Sequence, residues 1–419
     1  MRDILPKDWE IANLGSLSKK IQDGNYGPDY PRAYEFVPEG IPFLTGKALA
    51  TSGINYSKID YITEEKHQAI SKAHIQYEDV LFANRGSIGT AAMVPKELDG
   101  GNIGPQVTLV RTKRERLLPQ FLYYFFQSDL FFKQAYQVTA GSALAFFGLA
   151  TTAKFKIPLP PLPEQRKIAE ILTAWDEAIA KTEQLIAALQ ERKKGLMQRL
   201  LTPPSTAGQA GQVRFPGFDG EWEEIHLQEI AKVIMGQSPG SSAYNNVGIG
   251  LSLIQGNANI SNRRTAPKVY TSKITKQCDI GDIILSVRAP VGETAISIHE
   301  ACIGRGVCAI RATKCDSRFL YHLLVSNEQQ WQRLAQGSTF TAINSTDIRR
   351  FLLSIPETLD EQKRIGLAFD TCDEEIELHQ TQLVALQHQK KGLMQRLLTG
   401  EVRVRVDDEV GRTSKVRPT

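Results

Sequence analysis

The stretch Gly40-Ile41-Pro42-Phe43-Leu44-Thr45-Gly46-Lys47-Ala48 is the nearest this chain comes to a phosphate-binding loop. Such a loop needs four residues between its glycines and a Ser or Thr after the lysine to ligate magnesium. Here five intervene, and Ala48 stands in the ligating place. The matching stretch of the second half has Asn257 where the lysine would be. A nucleotidase reading is rejected on both counts. The cysteines, Cys278, Cys302, Cys308, Cys315 and Cys372, form no C-x2-C pair, and no histidine pair stands at zinc-finger spacing. Cys308 lies in the apolar run Gly306-Val307-Cys308-Ala309-Ile310, where a thiol packs as a small hydrophobe. Free thiols and no metal are expected. Arg85 and Arg288 remain, each following a strand-like run and preceding a glycine-containing turn.

Those two arginines are equivalent because the chain is built twice. Lys193–Thr202 and Lys390–Thr399 both read KKGLMQRLLT, 197 positions apart. The same offset aligns Glu164-Gln165-Arg166-Lys167-Ile168 with Glu361-Gln362-Lys363-Arg364-Ile365. Two units, each ending in one shared element, are implied. From Ile168 the apolar positions run Ile168, Leu172, Trp175, Ile179, Thr182, Ile186, Leu189, Lys193, Leu196 and Leu200. The second copy repeats the register from Ile365 through Phe369, Cys372, Ile376, His379, Leu383, Leu386, Lys390 and Leu393 to Leu397. Alternating steps of four and three predict coiled-coil packing. Proline is tolerated at and before a first helical turn but not inside, so each helix starts after its proline-bearing segment. At about 1.5 Å per residue, a helix of about 38 residues spans about 57 Å. Mutual pairing with near two-fold symmetry requires the helices to run antiparallel, with polar seam residues such as Thr182 and Lys193 fixing the register.

The stretches before these helices have diverged but share a plan. Trp9 matches Trp222, and Gly40–Leu44 matches Gly250–Ile254. Glu78–Arg85 matches Gly281–Arg288, with Gly89 and Gly292 following, and Ile103-Gly104 matches Ile303-Gly304. Short β-branched runs bounded by Gly, Asp and Asn predict strands and turns. One helix per module is expected at Pro119–Tyr136 and Ser317–Ala335, with Phe121, Tyr124, Phe125 and Phe131 as core. The class is α+β: two pseudo-repeated mixed α/β modules, each with a curved, largely antiparallel sheet, and two long helices forming an antiparallel coiled coil. The Pro/Gly-rich segment 202–212 reads as a linker and 400–419 as a charged tail, both expected to be poorly ordered. With 42% hydrophobic and 23% charged residues, the 419-residue chain has the composition of a soluble globular protein. Its net charge of +4 lends weak support to a polyanionic partner. No signal-peptide core or 18-residue apolar span is present, so a cytoplasmic location is expected.

The chain resembles the specificity (S) subunit of Type I restriction–modification enzymes over nearly its whole length. The resemblance rests on Pro161-Leu162-Pro163-Glu164-Gln165 leading into a long helix, the KKGLMQRLLT ending, and Arg214-Phe215-Pro216-Gly217-Phe218 opening the second half. Gly236-Gln237-Ser238-Pro239 ahead of Leu253-Ile254-Gln255-Gly256-Asn257 completes it. The second proline segment departs from the pattern, reading Ser354-Ile355-Pro356-Glu357-Thr358-Leu359-Asp360, which affects the local helix start.

The resemblance implies a DNA reader without catalysis of its own. Residues 1–157 and 213–355 would be target recognition domains, each reading one half of a bipartite asymmetric site on double-stranded DNA. Spacer helices at 158–201 and 356–399 would set the separation and dock two adenine-N6 methyltransferase (M) subunits. Two endonuclease/translocase (R) subunits would join for restriction. S-adenosylmethionine, ATP and Mg2+ are expected on those partners, with no cofactor and no membrane contact for this chain. The Asp/Asn-Pro-Pro-aromatic motif of an amino-methyltransferase is absent. A lone nuclease with an unrecognised site and a purely structural adaptor are the competing classes.

Arg and Lys can pair with guanine edges, and Asn and Gln with adenine. In the first module the candidates for DNA contact are Asn25, Tyr26, Lys47, Lys58, Arg85 and Gln106. In the second they are Gln237, Ser238, Gln255, Asn257, Asn259, Arg263, Arg264, Lys268, Arg288 and Arg305. Contacts shared by both modules cannot account for different targets, so Arg85 and Arg288 are assigned to phosphate rather than base. The unmatched pair Arg263-Arg264 is the preferred base-reading candidate.

Overall fold

The computed structural model describes residues 5–24, 27–50, 53–85, 90–139, 146, 148–202, 214–336 and 342–405. The chain divides into two compact units, Met1–Thr182 with Gln382–Thr419, and Glu183–Thr381. Each long helix is therefore shared, contributing one part to each unit. The sequence-based boundaries treat each helix as a separate piece; packing divides the helices instead.

The long helices span Leu162–Leu200 and Leu359–Leu398. They start at equivalent positions although only the first is preceded by the full proline segment. Gln165 and Gln362 explain why. The Gln165 amide donates to the Pro160 carbonyl at 2.9 Å and accepts from Leu118 N at 2.9 Å. Gln362 likewise donates to the Pro356 carbonyl at 2.8 Å and accepts from Asp316 N at 2.9 Å. A buried glutamine supplies the helix start that the lost prolines would have biased.

Every expected seam position on both helices is buried or half-buried. Within the first unit Lys390 reaches Asp176 at 2.5 Å, and within the second Lys193 reaches Asp373 at 2.6 Å. In each unit the early part of one helix lies beside the late part of the other, so the helices run antiparallel. The seam lysines fix that register by charge.

The first module has two four-stranded sheets. One is antiparallel, ordered Ser18–Asp23, Val107–Thr112, Val80–Ala83, Ala91–Met93. The other contains Ile41–Leu44 paired parallel with Asn102–Ile103. The second module repeats this with six- and five-stranded sheets. There Ile283–Ser286 pairs antiparallel with Val307–Ala312, and Leu251–Ile254 lies parallel to Ala301–Ile303. Among the described residues each module thus carries two main sheets, with two-stranded ones beside them, rather than the single curved one expected.

The single helix expected in each module is also broken in two. The first module has Pro119–Phe126 and Asp129–Thr139, the second Ser317–Ser326 and Glu328–Gln336. Ser128 Oγ donates to the Phe125 carbonyl at 2.6 Å, and Asn327 Nδ2 donates to the Leu323 carbonyl at 2.7 Å. Short polar side chains compete with the backbone for its hydrogen bonds and end the first helix. Phe121, Tyr124, Phe125 and Phe131 are buried in the core of the first unit.

The tail differs from expectation over Gly400–Arg405. Gly400 adopts φ +72° just beyond the second long helix, where a Cβ would lie 2.5 Å from Pro6 Cδ. That left-handed turn brings the chain back over the first module, and Val402 and Val404 pack on its core. Residues 203–213, most of the expected linker, and 406–419 lie outside the described residues.

Candidate nucleic-acid interface

The two modules build the same backbone crossing from glycines. Gly104 N donates to the Leu44 carbonyl at 2.8 Å, and Gly304 N to the Ile254 carbonyl at 2.7 Å. Asn84 N reaches the Gln106 carbonyl at 3.0 Å as Val287 N reaches that of Gly306 at 2.9 Å. Across this crossing pass Gly24 and Gly236. A Cβ would sit 2.2 Å from the Gly104 carbonyl carbon in the first case and 2.1 Å from the Gly304 oxygen in the second. Neither position can hold a side chain without moving backbone.

In the second module the crossing floors an open cleft of about 580 Å³. Ser238, Gln255, Asn257, Arg288 and Arg305 line it together, with Tyr244 among them. Arg288 and Arg305 are exposed, and neither has an ion-pair partner among the described residues. Most other arginines of this module are spoken for. Arg311 makes a two-pronged pair with Asp282, both contacts 2.7 Å, and Arg214 does the same with Glu361 at 2.7 and 2.6 Å. Two guanidinium groups without ion pairs at the edge of a polar cleft are chemically able to hold an anion such as phosphate.

The first module repeats part of this site. Arg85 is exposed, and like Arg288 it makes an isolated antiparallel bridge, to Phe146 where Arg288 bridges Ala342. The Arg85 guanidinium lies 5.0 Å from the Phe146 ring centre. Gly46 approaches the Gln106 Cβ, placing Gln106 beside the turn that carries Lys47. Lys47 and Lys58 are exposed on turns Gly46–Ala48 and Tyr56–Lys58, without ion pairs among the described residues. In the second module the equivalent turn is Asn257–Asn259 and begins one residue later after its strand, so Gln255, the counterpart of Thr45, stands at the cleft ahead of Gly256. Asn25 and Tyr26 lie outside the described residues, as does Gly89.

The sequence profile of the Type I restriction modification DNA specificity domain matches this chain twice, at residues 6–191 and 219–388. The chain belongs to the specificity subunits of Type I restriction–modification enzymes. It is 31% identical over 413 residues to the putative type I restriction enzyme MjaX specificity subunit of Methanocaldococcus jannaschii, covering 96% of this chain and 95% of that one. The MjaVIII specificity subunit of the same organism is 25% identical, with 96% and 94% covered. A chain solved to explain complex assembly and conformational transition of the type I R-M system is 27% identical, with a TM-score of 0.63 over 95% of this chain and 99% of that one. The S subunit of the M. genitalium Type I system shares the fold at 14% identity, with a TM-score of 0.59 over 93% and 96% of the two chains.

Family membership makes this chain a non-catalytic DNA-recognition subunit with two target recognition domains. The remaining sequence candidates fall around the second domain's cleft or away from it. Gln237 is exposed next to Ser238, its carbonyl accepting from Thr275 Oγ1. Asn259 is engaged locally, its side-chain oxygen accepting from Gln255 N at 2.9 Å. Lys268 is exposed and unpaired among the described residues. Arg263 and Arg264 do not line the cleft. Arg263 is held by Glu328 and by the Thr294 carbonyl, and Arg264 pairs with Glu377 on the second long helix at 2.9 Å. Tyr244 was not among the candidates; an aromatic at the start of a two-residue strand carries no sequence signal.

The cysteines are free, and burial pushes the Cys308 and Cys315 thiols up to about 12. They stay protonated at neutral pH. Among the described residues no cluster of metal-ligating side chains is found, and no helix is long and apolar enough to cross a membrane.

Proposed function

We propose that the cleft of the second domain and its counterpart around Lys47, Arg85 and Gln106 are the surfaces that meet DNA, one half-site each. The observation that carries this is the conjunction of equivalent exposed arginines on an equivalent glycine crossing with unlike neighbours. Arg85 and Arg288 bind phosphate and set position. The residues that differ, Lys47 and Gln106 against Ser238, Gln255, Asn257 and Arg305, read the bases. Lys58, Gln237 and Lys268 lie on exposed polar segments suited to backbone contact, and affinity falls with salt as counterions are released.

The long helices are proposed to set the spacing between half-sites and to dock two M subunits, with two R subunits joining for restriction. Support comes from the exposed part of the repeated motif. Lys194, Gly195 and Gln198 recur as Lys391, Gly392 and Gln395. Core packing does not explain their identity, since none is fully buried and neither glycine has an atom within 4 Å of a built Cβ. A helical glycine costs about 1 kcal/mol relative to alanine, and two equal copies of that cost fit two equal partners. S-adenosylmethionine, ATP and Mg2+ belong to those partners, and the complex works in the cytoplasm.

The test is to express the chain with its methyltransferase partner in a methylation-free host and map adenine-N6 methylation. A single split asymmetric motif is expected. Replacing residues 214–355 by a second copy of the first domain should turn it into a symmetric one. An unchanged motif overturns the two-reader proposal.

A further inference from the structure

Gln255 is the one side chain in the second domain's cleft whose amide orientation is fixed by its surroundings. Tyr244 Oη lies 3.1 Å from the Pro239 carbonyl and 2.9 Å from Gln255 Nε2. A carbonyl can only accept, so the tyrosine hydrogen is committed to Pro239. The phenolic oxygen is then left to accept from Gln255, which places Nε2 against it and turns Oε1 away. The backbone is held as well. Gln255 N donates to Asn259 Oδ1 at 2.9 Å. A Cβ on Gly306 would lie 2.1 Å from the Gln255 carbonyl oxygen, and one on Gly304 would lie 3.3 Å from its Cα. Arg305, between those glycines, is itself anchored through its N–H to Ser238 Oγ at 3.1 Å.

We propose that Gln255 is a base-reading residue of the second half-site, that its base is adenine, and that Tyr244 is its positioning residue. The proposal rests on the reading of this domain as a half-site reader and names the side chain and base class within it. With one Nε2 hydrogen on Tyr244, the amide keeps a second hydrogen for adenine N7 and a free oxygen for the adenine N6 amino group. That donor–acceptor pair is the one adenine presents in the major groove. Arg288 stands beside it for a flanking phosphate. Holding the amide before DNA arrives removes rotamer entropy that binding would otherwise cost.

The experiment is methylation mapping of the full complex with Gln255→Ala, Gln255→Glu and Tyr244→Phe, beside a replacement of the whole domain. Gln255→Ala should relax one adenine in one half-site by about 5- to 150-fold in preference and leave the other half-site untouched. Gln255→Glu, which can only accept, should shift that position towards cytosine. Tyr244→Phe should relax the same position less. If domain replacement rewrites the half-site while all three variants leave the motif unchanged, the assignment of Gln255 fails and the half-site reading stands. If domain replacement changes nothing, the half-site reading itself fails. Relaxation at a position other than adenine overturns the base assignment. An assembled complex whose Gln255 variants bind all sequences equally weakly makes Gln255 a backbone contact, which also overturns it.

Discussion

The two recognition domains agree where they are buried and disagree where they are open. Asp79 is buried against Arg111, with contacts of 2.8 and 2.7 Å, and Asp282 against Arg311, both at 2.7 Å. Each pair ties the start of one central strand to its antiparallel neighbour in the same register. At the cleft the agreement stops one residue after the strand, where Thr45 is buried and its counterpart Gln255 is exposed. The frame must be kept because a buried charge without its partner is costly. The rim is free to change because water satisfies whatever replaces it. Divergence of target can therefore proceed with no loss of fold.

A second comparison concerns what closes each unit. In the first, Glu164 at the start of a long helix is bound by Arg403 from beyond the other helix, at 2.7 and 2.8 Å, and by Trp9 Nε1 at 3.0 Å. Asp8 shares the same guanidinium, which holds its carboxyl below the ordinary range. In the second, Glu361 has Arg214 as its ion-pair partner, while the Trp222 Nε1 has no hydrogen-bond partner. One glutamate is thus supported twice and the other once.

These comparisons can be broken by mutation, and the frame should respond most. Asp79→Ala strands Arg111 and should cost about 3 kcal/mol in its own unit, whereas Asp282→Ala leaves Arg311 a second partner, Asp279 at 2.6 Å, and should cost less. Hydrogen exchange read separately on the two units checks this; equal loss in both units from one variant would sink the idea of independent frames. Next come the closures. Arg214→Ala should destabilise its unit by about 2–3 kcal/mol, and Arg403→Ala by about 1–2, since Trp9 still serves Glu164. The reverse order in denaturant unfolding would refute the account. The seam lysines should matter less. Lys390→Met and Lys193→Met exchange a partly exposed ion pair for apolar surface and should change stability by about 1 kcal/mol or less.

Much of this was legible in the sequence, for definite reasons. The exact repeat gave the duplication, and the four-three seam from Ile168 to Leu200 gave helix length and register, because periodicity survives without context. The strands around Val80 and Ile283 were legible through their β-branched runs. Other features depended on distant partners. Ser128 and Asn327 break helices whose aromatic spacing runs on through them. Arg263 and Arg403 were indistinguishable from any surface arginine until Glu328 and Glu164 appeared beside them. The cleft was half legible: Gln255, Asn257, Arg288 and Arg305 were chosen by residue type, yet Tyr244, which orients Gln255, had no local signal.

The smallest expected effect is the most telling about the helices. Gly195 and Gly392 sit inside long helices with open space around them. Nothing within the chain requires glycine there, so Gly195→Ala or Gly392→Ala should stabilise the isolated chain by about 0.5–1 kcal/mol. If the surface is kept bare for a methyltransferase subunit that approaches closely, the same methyl group should weaken assembly. Each single variant should then lose one partner site and the double variant both, as read by the mass of the assembled complex. Stabilisation with assembly unimpaired would show that the glycines are not a docking surface. The ten-residue identity would then have to be explained by its buried members, Leu200, Met394 and Leu397 among them.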